Sequence, residues 1–302
     1  MKILLFSRKD TLHDPSELRR VVDSIRRHGF DYAVNEEFSE ALASVLSTLG
    51  EGGLCAESCA EKPTTYAGRY EGSAEACVMV CLGGDGTLLE GARRLGGAPI
   101  PVVGINSGRL GFLTTVASEG IEELFQQIAE QELRVEPRSL LEIEGEFSGG
   151  EHEEPALNEI AIQRRGAGMI SVEAYVDGQM VATYHGDGVL LSTPTGSTAY
   201  SLSAGGPVVA PSCACFILSP LAPHNLTMRP VVIPDSSVVS LRLHARDEGA
   251  ILSLDNRTYR LREGAELQIR KAAQHIFLGV PRNNSFYDTL RKKLLWGVDV
   301  RS

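Results

Sequence analysis

Through about the first 130 residues, short fully apolar runs alternate with stretches whose apolar residues recur every three or four positions. Runs of the first kind suit strands buried on both faces, and stretches of the second kind suit the helices that cover them. Residues 3–6 predict a buried strand. Asp14-Pro15-Ser16-Glu17 predicts a helix start, with an N-cap, a proline at the first helical position and an early acid; Gly29 ends that helix. The pattern continues with a strand at 31–34, a helix at 39–49 closed by Gly50, a strand at 77–82, a helix at 87–95 and a strand at 101–105. Residues 118–130 predict a helix with Ile121, Leu124, Phe125 and Ile128 on one face. Residues 50–73, rich in Gly, Glu, Ala and Thr, read as a loop. This alternation predicts an α/β domain with a doubly wound parallel sheet.

After Val135-Glu136-Pro137 the helical period nearly vanishes. Short strands are expected at 140–147, 157–163, 172–176, 181–184, 215–218, 231–233, 238–243, 251–254 and 258–261. Asp177-Gly178 and Asp255-Asn256 sit between adjacent strands as hairpin turns. The second domain is therefore expected to be mostly β. Helical spacing returns at 285–296, where Phe286, Leu290, Leu294 and Leu295 share one side beside the basic run 291–293. This C-terminal helical tail is expected to pack back onto a domain. The resulting division is an α/β domain at 1–135, a β-rich domain at 136–280 and a tail at 281–302.

A chain of 302 residues is long enough for two cores, and 43% hydrophobic with 23% charged residues is a globular balance. The net charge of −10 gives no footprint for nucleic acid or an anionic membrane. Any polyphosphate must then be held by local amides, cations and metal against a repulsive overall field. The apolar run at 3–6 is too short for a signal-peptide core, and no run reaches the roughly 18 apolar residues of a membrane span. A cytoplasmic location is the expectation, with no membrane partner. The six cysteines fall as Cys55/Cys59, Cys77/Cys81 and Cys213/Cys215, without the framework of a zinc site. Cys77 and Cys81 read as small buried thiols, and no protein-held metal is expected.

Two segments carry chemistry. Gly83-Gly84-Asp85-Gly86-Thr87 lies between a strand and a helix start, where glycines let successive N–H groups converge on phosphate oxygens. It is neither a P-loop nor a dinucleotide fingerprint. An acid in such a turn weakens phosphate binding unless it binds metal or takes a proton; the plainer alternative is that Asp85 caps the following helix. The second segment, 193–206, follows the apolar run Val189-Leu190-Leu191 and crowds serine, threonine and glycine together, which suits a polar ligand needing close backbone approach. Asn158-Glu159 and Asp187 add an amide and two acids, the acids accepting only when ionised. With Thr198, Tyr200 and Ser203 they make a pocket fit for a ribose, an adenine amino group or a carboxamide.

In this order the motifs resemble those of the NAD kinase family, ATP-dependent NAD 2′-phosphotransferases. The resemblance rests on Gly83-Gly-Asp-Gly86, residues 106–113 (NSGRLGFL), Leu157-Asn-Glu159 and residues 187–207, and continues through Pro223-His224, Arg229-Pro230 and Ser253-Leu-Asp255. It implies that Asp85 is the catalytic carboxylate, accepting the proton of the adenosine ribose 2′-hydroxyl as that oxygen attacks the γ-phosphate of ATP. Gly86 and neighbouring amides would lie along the phosphates, and Phe112 would line the dinucleotide pocket. Asn158, Glu159 and Asp187 would hold polar groups of NAD. Thr195, Thr198, Ala199, Tyr200, Ser201, Leu202 and Ser203 would surround it. Mg²⁺ accompanying ATP and a homodimer or homotetramer are also implied.

His185 and Arg257 depart from commoner residues of the family. His185 would face the dinucleotide and bear on the choice between NAD and NADH; Arg257 would contact a substrate phosphate or only the surface. Two other readings exist. A lipid kinase sharing the GGDGT turn would leave 187–206 unexplained, and a silent dinucleotide-binding regulator would leave Asp85 without a task.

Overall fold

The computed structural model describes residues 1–297 apart from 12, 49–63, 107, 109, 110, 148–154 and 246–248. Cys55 and Cys59 lie outside the described residues. The chain divides into two compact units, Met1–Pro137 with Ile276–Ser302, and Arg138–His275.

In the first unit, β1 (Lys2–Phe6), α1 (Pro15–Arg27), β2 (Asp31–Asn35), α2 (Glu36–Thr48), β3 (Thr64–Tyr66), β4 (Cys77–Leu82), α3 (Asp85–Arg94), β5 (Pro101–Asn106), a two-residue β6 (Val116–Ala117) and α4 (Ile121–Ala129) follow in order. Asp14 caps α1 by accepting from the Ser16 N–H at 2.8 Å, with Pro15 at the first helical position. The strands pair in parallel in the order β5-β4-β1-β2-β3. Side chains of Ile3, Leu5, Val78, Val80 and Val103 meet α1, α2 and α4 through Leu18, Val22, Phe38, Leu42, Leu124 and Phe125. The opposite face carries α3, whose Gly91 approaches Phe6, Met79 and Cys81 so closely that no side chain fits. Helices on both faces make the sheet doubly wound. From β1 the chain winds outward through β2 and β3, then returns to the other side of β1 with β4. This reversal places a crevice outside the carboxyl ends of β1 and β4, where ligands of open parallel sheets bind.

The second unit opens within β7 (Arg134–Gly145) and continues with β8 (Glu159–Arg164), β9 (Ile170–Val176), β10 (Gln179–Gly186) and β11 (Gly188–Ser192). A short 3₁₀ turn at Thr195–Thr198 leads into the one-turn helix α5 (Tyr200–Ser203). Then come β12 (Cys215–Leu221), β13 (Val231–Pro234), β14 (Val239–His244), β15 (Ala250–Leu254) and β16 (Arg257–Leu261). Two antiparallel sheets result, one with β10-β9-β14 and the other ordered β13-β12-β11-β8-β15-β16. Alternate residues Ile160, Ile162, Val189, Leu191, Phe216 and Leu218 of the six-stranded sheet share one core with Val172, Ala174, Val239 and Leu241 of the other. The intervening residues Ala161 and Leu190 face outward and meet Ala204, so the segment after β11 folds over the outer face of the six-stranded sheet. Asp177 and Gly178 both take positive φ, 50° and 78°, as a two-residue hairpin requires.

The chain closes with β17 (Glu266–Val280) and α6 (Phe286–Leu294). β17 pairs with β7 and β14, and its last residues pair in parallel with β5. The tail helix belongs to the first unit, with Thr289 and Leu290 buried. Four elements were not expected: the strand 64–66 inside the 50–73 loop, the two-residue β6, the one-turn helix α5 and the fifteen-residue β17. The helix expected from Thr87 begins at Asp85, and that from Ser39 begins at Glu36. Among the described residues no helix is long and apolar enough to cross a membrane.

Gly91 yields a test. On an exposed helix, Gly→Ala stabilises by about 1 kcal/mol. Here the new Cβ would stand 2.5 Å from Cys81 Sγ and 3.0 Å from the Phe6 ring. Gly91→Ala is expected to lower unfolding free energy by about 1–3 kcal/mol in urea titration; a gain would show that α3 is not pressed onto the sheet.

Candidate active site

The first cluster is built where β4 gives way to α3. Gly83 turns the chain with φ 143°, and its N–H donates to the Ile105 carbonyl. Gly84 caps α3 without any side-chain help, so Asp85 occupies the first helical position. Its carboxylate does not cap its own helix, which removes the plainer reading of this residue. It reaches instead to the turn after β5. Oδ2 accepts from the Phe112 N–H at 2.8 Å. Oδ1 accepts from the N–H groups of Leu113 and Thr114, at 3.1 and 2.9 Å, and from the Thr114 hydroxyl at 2.8 Å. A carboxylate offers about four lone-pair positions, two per oxygen. Oδ1 is thus saturated by described donors, while Oδ2 retains a free lone pair.

Gly111 makes this grip possible, because a Cβ there would overlap Asp85 Oδ1 and crowd Thr114 Oγ1. Asn106 steadies Thr114 by donating from Nδ2 to its hydroxyl oxygen at 3.3 Å. Gly111 lies in the motif 106–113 but was given no role by the sequence reading, and Thr114 falls just outside that motif. Their signal is a glycine-containing turn ending in threonine directly after a buried strand.

On the other side of the turn the amides at the start of α3 are open. A Cβ at Gly84 would meet nothing within 4 Å among the described residues, and one at Gly86 would meet only Arg8 Nη1, at 3.8 Å. The first N–H groups of a helix lack intrahelical partners. Arg8 follows β1, so it flanks the same crevice. Ser7 fixes its backbone: the buried Ser7 hydroxyl donates to the Leu82 carbonyl at 2.8 Å, and its N–H donates to Asn35 Oδ1 at 3.2 Å. His13 Nε2 lies 2.8 Å from the same hydroxyl, and burial holds the imidazole below its ordinary pKa. The Arg8 guanidinium has no hydrogen-bond or ion-pair partner among the described residues.

The second cluster lies on the outer face of the six-stranded sheet. Glu159 and Gln163 project from β8 on the same side as Ala161. Gln163 Nε2 donates to the Tyr200 hydroxyl at 2.6 Å, and the Tyr200 N–H donates to the Glu159 carboxyl. The Asp255 carboxylate, in the hairpin between β15 and β16, accepts the N–H groups of Leu157, Asn158 and Glu159 at 2.9, 2.7 and 3.2 Å. Asn158 passes its carbonyl to the Thr193 N–H and keeps its side-chain amide free of hydrogen bonds among the described residues. Gly196 lies so close to the Asn158 backbone that no larger residue fits.

Glu159 is only 9% exposed, and its Oε2 has no hydrogen-bond partner among the described residues. Burial, reinforced by the neighbouring Asp255 charge, pushes its carboxyl up to about 8. Burial raises Asp255 as well, but three amides and Arg257 oppose the shift. A carboxyl raised this far favours the protonated form at neutral pH, in which it donates as well as accepts, whereas an ionised acid only accepts.

Much of the hydroxyl-rich segment holds itself together. Thr193 Oγ1 donates to the Leu157 carbonyl, Ser197 bonds the Val209 backbone, and Thr198 donates to the Thr195 carbonyl. Thr195 and Ser201 are buried; Tyr200 and Ser203 are exposed, with Thr198, Ala199 and Leu202 between. Asp187 forms an ion pair with Arg164 at 2.5 Å. Arg257 donates to the Pro155 carbonyl at 3.3 Å. His185 stands apart from Glu159 and Tyr200, on β10 of the other sheet, exposed and 2.7 Å from the Ser171 hydroxyl.

Comparison with known proteins agrees with this layout. A model of the ATP-NAD kinase N-terminal domain matches residues 7–133, and one of the ATP-NAD kinase C-terminal domain matches residues 157–278. An NAD kinase of Bacteroides fragilis is 35% identical over 302 residues, covering 100% of both chains. One of Porphyromonas gingivalis is 43% identical over 224 residues, 74% of this chain and 77% of the relative. Among solved structures, an NAD kinase from Archaeoglobus fulgidus in complex with ATP superposes with a TM-score of 0.72 at 26% identity, covering 98% of this chain and 99% of that one. Yeast NADH kinase complexed with NADH gives 0.82 at 24% identity, over 100% and 89%, a likeness of fold.

The Glu159 proton has a measurable sign. A folded-state value near 8 against an ordinary 4.5 means that the neutral acid's contribution is complete below pH 4.5 and is lost as pH rises through about 8. Glu159→Gln, which mimics the neutral form, is expected to gain thermal stability relative to the parent across that window and to hold a constant margin above it. Parallel unfolding curves at every pH would show that Glu159 is ionised.

Proposed function

The chain belongs to the NAD kinase family, and on that premise we propose how its residues carry out the family's reaction. The protein is a phosphotransferase that phosphorylates NAD with ATP. We place the acceptor at the 2′-hydroxyl of the adenosine ribose, with Asp85 as general base. The observation that carries this assignment is the uneven grip on its carboxylate. Among the described residues four donors hold it in one orientation, and only Oδ2 has a lone pair left to take a proton. A base fixed in this way needs no reorganisation when the hydroxyl arrives.

The donor is read as Mg-ATP, the metal arriving as part of the substrate. Its phosphates would run along the open amides at Gly84, Asp85 and Gly86, with Arg8 supplying the cation that a net charge of −10 makes necessary. Phosphoryl transfer passes through a loose transition state, so alignment and charge neutralisation are most of what such a site must provide. Phe112 is read as lining the dinucleotide pocket. In the second unit Asn158, Glu159, Asp187, Thr198, Tyr200 and Ser203 would hold polar groups of NAD, with Thr195, Ala199, Ser201 and Leu202 shaping the segment around them. Asn158 offers its free amide, and Glu159 a proton that a carboxamide or ribose oxygen can accept. His185 is read as a determinant of the choice between NAD and NADH. A cytoplasmic homodimer or homotetramer completes the reading.

The test is purified protein with Mg-ATP and NAD, coupled to an NADP-specific dehydrogenase; no NADP from folded protein would overturn the reading. Asp85→Asn is expected to lower turnover by at least about 100-fold, the lower end for a positioned base, while NAD still binds by calorimetry. Near-normal turnover in that variant would remove Asp85 as base. Arg8→Ala is expected to raise the KM for ATP roughly tenfold, the scale of one charge-assisted contact of about 1.5 kcal/mol, and to leave the KM for NAD unchanged.

A further inference from the structure

Asp85 is held by the turn at 111–115, and that turn is itself held from outside by the C-terminal tail. Asn284 Nδ2 donates to the Thr115 carbonyl at 2.9 Å. Nine residues later, Lys293 Nζ stands 5.6 Å from the centroid of the Phe112 ring, within cation–π range. Phe112 is the residue whose N–H bonds Asp85 Oδ2, and Thr115 directly follows the residue that makes two of the bonds to Oδ1.

The two contacts flank α6, one just before its first turn and one in its last. Ser285 caps the helix by accepting from the Asp288 N–H, and the buried Thr289 and Leu290 seat it. The approach to α6 is tied down as well. The Arg282 N–H donates to Gln127 Oε1 at 2.9 Å, the Arg282 side chain pairs with Glu132 at 2.5 Å, Asn283 bonds Glu123, and Arg134 donates to the Asn284 carbonyl at 3.1 Å. The tail thus touches the turn at two points, Asn284 ahead of the seated helix and Lys293 within it.

We propose that the tail is a positioning element for the Asp85 carboxylate, with Asn284 and Lys293 acting through the 111–115 turn. Neither residue lies in the motifs on which the family resemblance rests. The inference builds on the reading of Asp85 as base, and it makes the reactivity of that carboxylate depend on two side chains at the far end of the chain.

Lys293→Met and Asn284→Ala, each made in the full chain, test it. A displacement of about 1 Å at a reacting group can cost up to roughly 100-fold, so a partial loosening is expected to lower kcat by about tenfold, with the KM values for NAD and ATP within about twofold. Lys293→Arg, which keeps the cation over the ring, is expected to restore kcat. Lys292→Met, which removes a neighbouring exposed charge, is the control expected to leave it unchanged. The amides of Phe112, Leu113 and Thr114 are expected to exchange hydrogen faster in Lys293→Met and Asn284→Ala than in the parent, a readout independent of turnover. In an Asp85→Asn background neither tail substitution is expected to lower residual turnover further, because the group it positions is gone.

Unchanged kcat and amide exchange in the Lys293→Met/Asn284→Ala double variant would overturn the proposal, as would an equal loss in the Asp85→Asn background. If Asp85→Asn alone keeps near-normal turnover, the reading of the base fails. Exchange at 112–114 then still decides whether the tail holds the turn.

Discussion

The arrangement of the first unit depends on one topological constraint, the reversal of winding between β1 and β4. Two neighbouring parallel strands there send their chains to opposite faces of the sheet, toward α1 and α3, so their carboxyl ends must part. The Ser7 hydroxyl spans the point of parting with a bond to the Leu82 carbonyl. Beyond that bond each strand has only a few residues in which to turn. On one side these are Arg8 and its neighbours, and on the other Gly83 to Gly86. A glycine-rich turn, a guanidinium without a partner among the described residues and an acid therefore gather at the carboxyl ends of these two strands. The placement of chemistry is a result of strand order before it is a result of side-chain choice.

Local signals were legible where the physics is local. The Asp14-Pro15 cap, the apolar run 77–82 and the Asp177-Gly178 hairpin all appear where the pattern places them, since each depends on a few adjacent residues. The strand at 64–66 has three residues, too few for any period to register. In β17 the alternation of buried Leu267 and Ile269 with exposed Glu266, Gln268 and Arg270 is readable, but Lys271 to His275 interrupts it before the apolar end. The two halves look unrelated in sequence because they pair with different neighbours.

The candidate site divides in the same way. That 83–87 and 193–206 carry chemistry was readable from composition and motif. What holds Asp85 was not, because its partners lie 27 to 29 residues further on and three of the four are backbone amides, which no side-chain pattern encodes. Nor does composition separate a hydroxyl that braces the backbone, such as Thr193 or Ser197, from one that faces outward, such as Ser203. The upward shift of the Glu159 carboxyl escaped for a related reason. A glutamate at a strand start reads as an exposed acid until the neighbouring Asp255 has taken the amides and α5 has covered the carboxyl.

A free carboxylate is symmetric, and either oxygen serves by a half-turn of the side chain. The turn at 112–114 abolishes that equivalence in Asp85, since a flip would break four hydrogen bonds at once. The two oxygens are therefore distinct: among the described residues three donors hold Oδ1 and one holds Oδ2. Among the described residues the open side of the carboxylate is that of Oδ2. For the base proposed above, a proton would arrive and leave by that same side.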